Sequence, residues 1–145
     1  MSGIIVGVDG SAHSRKALEY AAKEAAAHHT SLTVLTVHQA VRDVYGSVAN
    51  YGDDASLTDK ARQAAQAETD EVLASLGDRP ESVTVKAVHG LPAEELVKAA
   101  QGADMVVMGS RGAGGFARLL MGSVATQVAH HAHCPVLIVP ADERG

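Results

Sequence analysis

The chain has 145 residues, a net charge of −5, 46% hydrophobic and 20% charged residues, and one cysteine. That length fits one domain spanning 1–145 with a single core, and the acidic balance excludes a general binder of nucleic acid or anionic membrane. Cys134 alone excludes an internal disulfide and fits a reducing cytoplasm, while no apolar run approaches the roughly 18 residues needed to cross a bilayer and no secretory leader is read.

In chain order, Ile4-Ile5-Val6-Gly7-Val8 reads as a buried strand ending at Asp9. A helix follows, with Ser11 or Ser14 as its N-cap and Leu18, Ala21, Ala22 and Ala25 on one face, fading near His28-His29. Leu32 to Val37 is a second, β-branched strand. The long connection from Gln39 to Ala55 carries Tyr45, Tyr51, Asp53 and Asp54 and reads equally as a disordered link or as a lid. Ser56 to Leu76 is a second helix with Gly77 as its C′ residue, and Val83 to Val88 a third strand. Pro92 suits the first position of a third helix, with Glu94 and Glu95 in its first turn and Gly102 at its end. Met105 to Met108 is a fourth strand; Ser123 caps a fourth helix running to about His133; and Val136-Leu137-Ile138-Val139, between Pro135 and Pro140, is a fifth strand. Buried strands alternating with helices predict an α/β domain on a mainly parallel sheet.

The most informative stretch is Gly109-Ser110-Arg111-Gly112, followed after nine residues by Gly122-Ser123. A strand, a glycine-rich turn and a helix start form a phosphate cradle, because glycine lets the backbone approach an anion and the helix end offers unpaired N–H groups. The spacing is neither GxxxxGK[ST] nor GxGxxG, and no Lys precedes Ser123. From Met105 to Ala141 there is no Asp or Glu, while Arg111 and Arg118 are present, which makes an electropositive island on an acidic chain. In an open parallel sheet the ligand sits beyond the carboxyl ends of the strands where winding reverses. If the first strand lies beside the fourth, that crevice falls between Asp9 and Gly109, and Asp9 could accept from a ribose hydroxyl or help hold Mg²⁺.

Val8-Asp9-Gly10-Ser11, Leu35-Thr36-Val37, Gly90-Leu91-Pro92-Ala93, the glycine segment and Cys134-Pro135-Val136-Leu137-Ile138-Val139-Pro140 together resemble the nucleotide-binding branch of the universal stress protein family over nearly the whole chain. The resemblance implies a single open five-stranded parallel sheet with helices on both faces, in the order 3-2-1-4-5. It further implies ATP (or ADP or AMP) in the crevice, and a homodimer paired through the fifth strand at Val136, Leu137, Ile138 and Val139. Carried over to this sequence, Val8 and Asp9 would line the adenosine, the main chain of Val37 would meet the adenine edge, and Met108 would pack beneath the nucleotide. Gly109, Arg111, Gly112, Gly122, Ser123 and Val124 would face the phosphates, with Arg111 at a variable motif position.

Other constellations weigh less. His130, His131, His133 and Cys134 invite a metal, but their spacing matches no structural zinc pattern and imidazoles near a helix C-terminus also complement its dipole. His38 and His89 fall at strand ends near the crevice rim and read as satisfied polar residues rather than catalytic bases. No nucleophile elbow is present. The expectation is therefore a nucleotide-responsive stress or regulatory module acting on a partner protein. The alternative is a slow ATPase or adenylate-transferring enzyme using Asp9 and Mg²⁺, for which the electrostatic clamp looks thin.

Overall fold

The structure is a computed structural model and describes residues 3–38, 54–110 and 122–140. Five strands, β1 (Ile4–Val8), β2 (Ser31–His38), β3 (Ser82–His89), β4 (Met105–Gly109) and β5 (Val136–Val139), form one parallel sheet in the order β3-β2-β1-β4-β5. They alternate with α1 (Ala12–Ala27), α2 (Asp54–Ala74), α3 (Pro92–Ala100) and α4 (Ser123–His131). Every strand pair is parallel, with Ile4 level with Leu32 and Met105 and with Val106 level with Val136. The expected fold and strand order are observed.

Two core layers cover the two faces. Val6, Leu32, Val34 and Val107 pack under Leu18, Ala21, Ala22 and Ala25 of α1 and Val72 of α2. Ile5, Leu35, Val106 and Met108 pack under Ala93, Leu96 and Ala100 of α3 and Ala125 and Val128 of α4. Each large, fully buried aliphatic side chain stabilises the fold by about 1.5–3 kcal/mol. The alanine face of α1 is what lets that helix lie close over the centre of the sheet. The central strands read as continuous apolar runs because both of their faces are covered. β3, at one edge, instead alternates exposed and half-buried residues, correcting the expectation of strands buried on both sides. Among the described residues, no helix is long and apolar enough to cross a membrane.

The helix ends correct the sequence reading in detail. Ser11 caps α1, its side chain accepting from the Ser14 N–H. The helix closes with Thr30 N donating to Ala25 O at 2.9 Å and His29 N to Ala26 O at 3.2 Å, with His29 at φ 53 where glycine is usual. α2 spans Asp54–Ala74, so it takes in the last two residues of the expected loop and stops short of Leu76. It ends in tight turns, Ser75 N to Val72 O and Leu76 N to Leu73 O, both 3.1 Å. Gly77 has no left-handed φ and is therefore not the expected C′ residue, whereas Gly102, at φ 80, is one for α3. In α4 the cap is Gly122 and Ser123 is the first helical residue, correcting the assignment of Ser123 as cap; the helix ends at His131, two residues short of His133. The remainder of the long connection, 39–53, lies outside the described residues.

Candidate functional site

The chain winds from β1 outward to β3 and then returns to lay β4 on the other side of β1. Val6 is level with Val107, so Val8 and Gly109 end their strands side by side at this reversal. Val8 is 6% exposed and belongs to the α1/α2 core layer; Met108, also 6% exposed, belongs to the α3/α4 layer. Beyond Val8 the chain turns at Asp9 and Gly10, the latter at φ 84, a conformation that would strain any side chain by about 1–2 kcal/mol. Asp9 Oδ1 accepts from Ser11 N at 2.9 Å, and Asp9 N donates to Ser14 Oγ at 3.1 Å. The carboxylate is thereby held at the head of α1 while remaining exposed.

On the β4 side, Gly109 is buried and Ser110 N donates to Val139 O at 2.9 Å, extending the ladder with β5. Gly122 N donates to Ser110 O at 2.6 Å, which brings the start of α4 back to the end of β4. Thr126 then closes the first turn, its N–H and Oγ1 both donating to Gly122 O. Ser123 is exposed, Val124 half-buried, and no side chain caps this helix; its first turn has no acidic residue. The structure thus gathers Val8, Asp9, Met108, Gly109, Gly122, Ser123 and Val124 around the β1 and β4 ends. Val37 lies next to the end of β2, where it packs on the α3/α4 layer. Arg111 and Gly112 lie outside the described residues.

Sequence reasoning missed the support around Asp9. Ser14 buttresses its backbone, a link for which the Ser-x-x-Ser spacing from Ser11 was the available signal. Arg15 on α1 bonds Glu71 on α2 at 2.9 Å and reaches Glu19 at 3.8 Å. The neighbouring Glu68 carboxyl is pushed up by burial and by the negative charges of Asp9 and Glu71, against a downward pull from Arg15. No local pattern marks that contact, because it joins residues far apart in sequence. Burial pushes the Cys134 thiol up as well, and it packs into the α3/α4 layer. A separate cleft of 310 Å³ lies between α3 and α4, lined by residues including Ala93, Val97, Gln101, Gln127 and His131, and contains none of the residues expected to touch a nucleotide.

Fold and winding together define a doubly wound, three-layer α/β protein whose strand order reverses between β1 and β4. The sequence model described as the universal stress protein family matches residues 1–140, and the chain belongs to that family. A universal stress protein from Thermus aquaticus is 35% identical over 138 residues, covering 94% of this chain and 96% of that protein. One from Mycolicibacterium smegmatis is 31% identical over 144 residues, covering 98% of this chain and 49% of the relative. The chain spans about half the length of that relative and of several other mycobacterial ones. Among solved structures, a universal stress protein in complex with cAMP matches with a TM-score of 0.67 at 26% identity, covering 96% of each chain.

Proposed function

We propose that this chain forms an ATP-binding universal stress protein domain over residues 1–145 that works as a homodimeric regulatory module in the cytoplasm. The observation that supports this best is the start of α4. Its Gly122 cap is tied to Ser110 at the end of β4, and among the described residues no side chain caps it. A helix end in that state favours an anion. Its position beside the Asp9 carboxylate suits a molecule with a ribose at one end and phosphates at the other. The cAMP bound by a structural relative supports an adenine nucleotide.

In this reading Val8, Asp9 and the Val37 main chain hold the nucleoside over Met108. Gly109, Gly112, Gly122, Ser123 and Val124 cradle the phosphates, Arg111 adds positive charge, and Asp9 stands near any Mg²⁺ that accompanies ATP. β5 forms one margin of the sheet, with Val136, Leu137 and Ile138 half-buried, and offers its edge to a second copy. Calorimetric titration with ATP, ADP, AMP and cAMP, with and without Mg²⁺, tests the proposal: ATP heat with micromolar or tighter affinity is expected. No detectable binding of any of the four would overturn it.

A further inference from the structure

Away from the β1–β4 crevice, the ends of β2 and β3 carry a second arrangement. His38 and His89 are the last residues of their strands and are level with each other in the parallel register. Counted back in twos, His38 follows Val34 and Leu32, and His89 follows Val85 and Val83, all of the core layer under α1 and α2. Both imidazoles therefore stand on the α2 side of the sheet. Their ring centroids are 5.1 Å apart with planes inclined at 57°. Thr58 of α2 brings Oγ1 to 2.7 Å from His38 Nε2. His38 is half-buried and His89 exposed.

We propose that His38 and His89 form a two-nitrogen site for a borderline divalent cation, Zn²⁺ foremost, with water completing the coordination. A cation about 2.0–2.1 Å from each of two imidazole nitrogens at a tetrahedral angle sets the ring centres roughly 5 Å apart, the separation that the strand register already provides. The ladder between β2 and β3 holds both backbones, so little ordering remains when the metal arrives. In the tautomer where His38 Nε2 donates to Thr58 Oγ1, the lone pair is on Nδ1. A hydrogen-bond acceptor on the non-ligating nitrogen is the usual device that orients a metal-binding histidine. The net charge of −5 adds a favourable field. The site uses none of the residues assigned to the nucleotide, although His38 directly follows Val37, and it is tested without nucleotide.

The test is equilibrium dialysis and calorimetry of the full chain, stripped with chelator and free of nucleotide, against ZnCl₂ and NiCl₂ near neutral pH. Zinc is expected to fill one equivalent that His38→Gln and His89→Gln each weaken at least about tenfold, with Thr58→Val weakening it less. The triple variant His130→Gln/His131→Gln/His133→Gln controls for the α4 imidazoles and should keep that equivalent. Nitrogen-15 spectra of the imidazoles should show His38 and His89 shifting together on zinc addition. His89 is exposed, so His89→Gln leaves the fold intact, which circular dichroism verifies. Survival of the tight equivalent in His38→Gln or His89→Gln, its loss in the triple variant, or no zinc uptake below about 100 µM would each overturn the proposal.

Discussion

Two helices start at the centre of this sheet, α1 after β1 and α4 after β4, and they begin in opposite chemical states. Their caps share an extended backbone, Ser11 at φ −82, ψ 162 and Gly122 at φ −60, ψ 159. At α1, Ser11 Oγ accepts from Ser14 N at 3.1 Å, and Asp9 Oδ1 accepts from Ser11 N, so the chain answers its own donors. At α4 the cap has no side chain, and Gly122 N donates to Ser110 O at the end of β4. A glycine cap leaves a helix start less stable than a serine cap by only about a few tenths of a kcal/mol. In the proposed function, the glycine start beside the β1–β4 reversal leaves donors for an outside anion, which a serine or aspartate cap would occupy.

The comparison breaks most sharply if α4 is made to begin as α1 does. Gly122→Asp supplies both a capping oxygen and a negative charge. ATP affinity is expected to fall at least about a hundredfold by calorimetry, while the melting temperature without nucleotide holds or rises. Unchanged affinity would place the phosphates elsewhere.

The next effect concerns whether two such crevices act in one particle. Ile138→Asp puts a charge on the β5 margin and is expected to turn a dimer into a monomer in sedimentation, with ATP affinity changed less than about threefold. A variant that stays dimeric would move the interface off β5.

The reverse operation on α1 is smaller. Ser11→Ala removes the cap and should cost about 1 kcal/mol, lowering the melting temperature by roughly 3 °C, read by differential scanning calorimetry. Its effect on ATP affinity should be far below that of Gly122→Asp, since Asp9 keeps its backbone bond to Ser14 Oγ.

This contrast also marks where the sequence was legible. Strand cores such as Val6 and Val107, the alanine face of α1 and the Pro92 start of α3 follow from periodicity and local stereochemistry, whereas the order β3-β2-β1-β4-β5 followed only from the family resemblance. Helix ends were read less well, because several residues could serve. Ser123 is a better intrinsic cap than Gly122, yet the chain uses Gly122, whose N–H is held by Ser110 O. Gly77 looked like a stop signal, but tight turns at Ser75 and Leu76 end α2 first. The pairs His38–Thr58 and Arg15–Glu71 join elements distant in sequence, and only the packed fold brings them together.

The finest test concerns Glu68, which faces the Asp9 end of the crevice from α2. Its carboxyl sits above the ordinary value of 4.5, first through burial and then through Asp9 and Glu71, with Arg15 opposing. A carboxyl raised in this way holds its proton more tightly folded than unfolded. Its contribution to stability is therefore complete below pH 4.5 and is lost as pH rises through the folded value. Glu68→Gln removes that loss: melting curves of variant and native protein should diverge above pH 4.5, the variant becoming the more stable by a small margin. The native protein proving the more stable at neutral pH would mean that attraction to Arg15 outweighs burial and the Asp9 charge. Since the same Asp9 charge acts on Glu68, bound Mg²⁺ near Asp9 should narrow the difference between the two proteins, and bound AMP without metal should not.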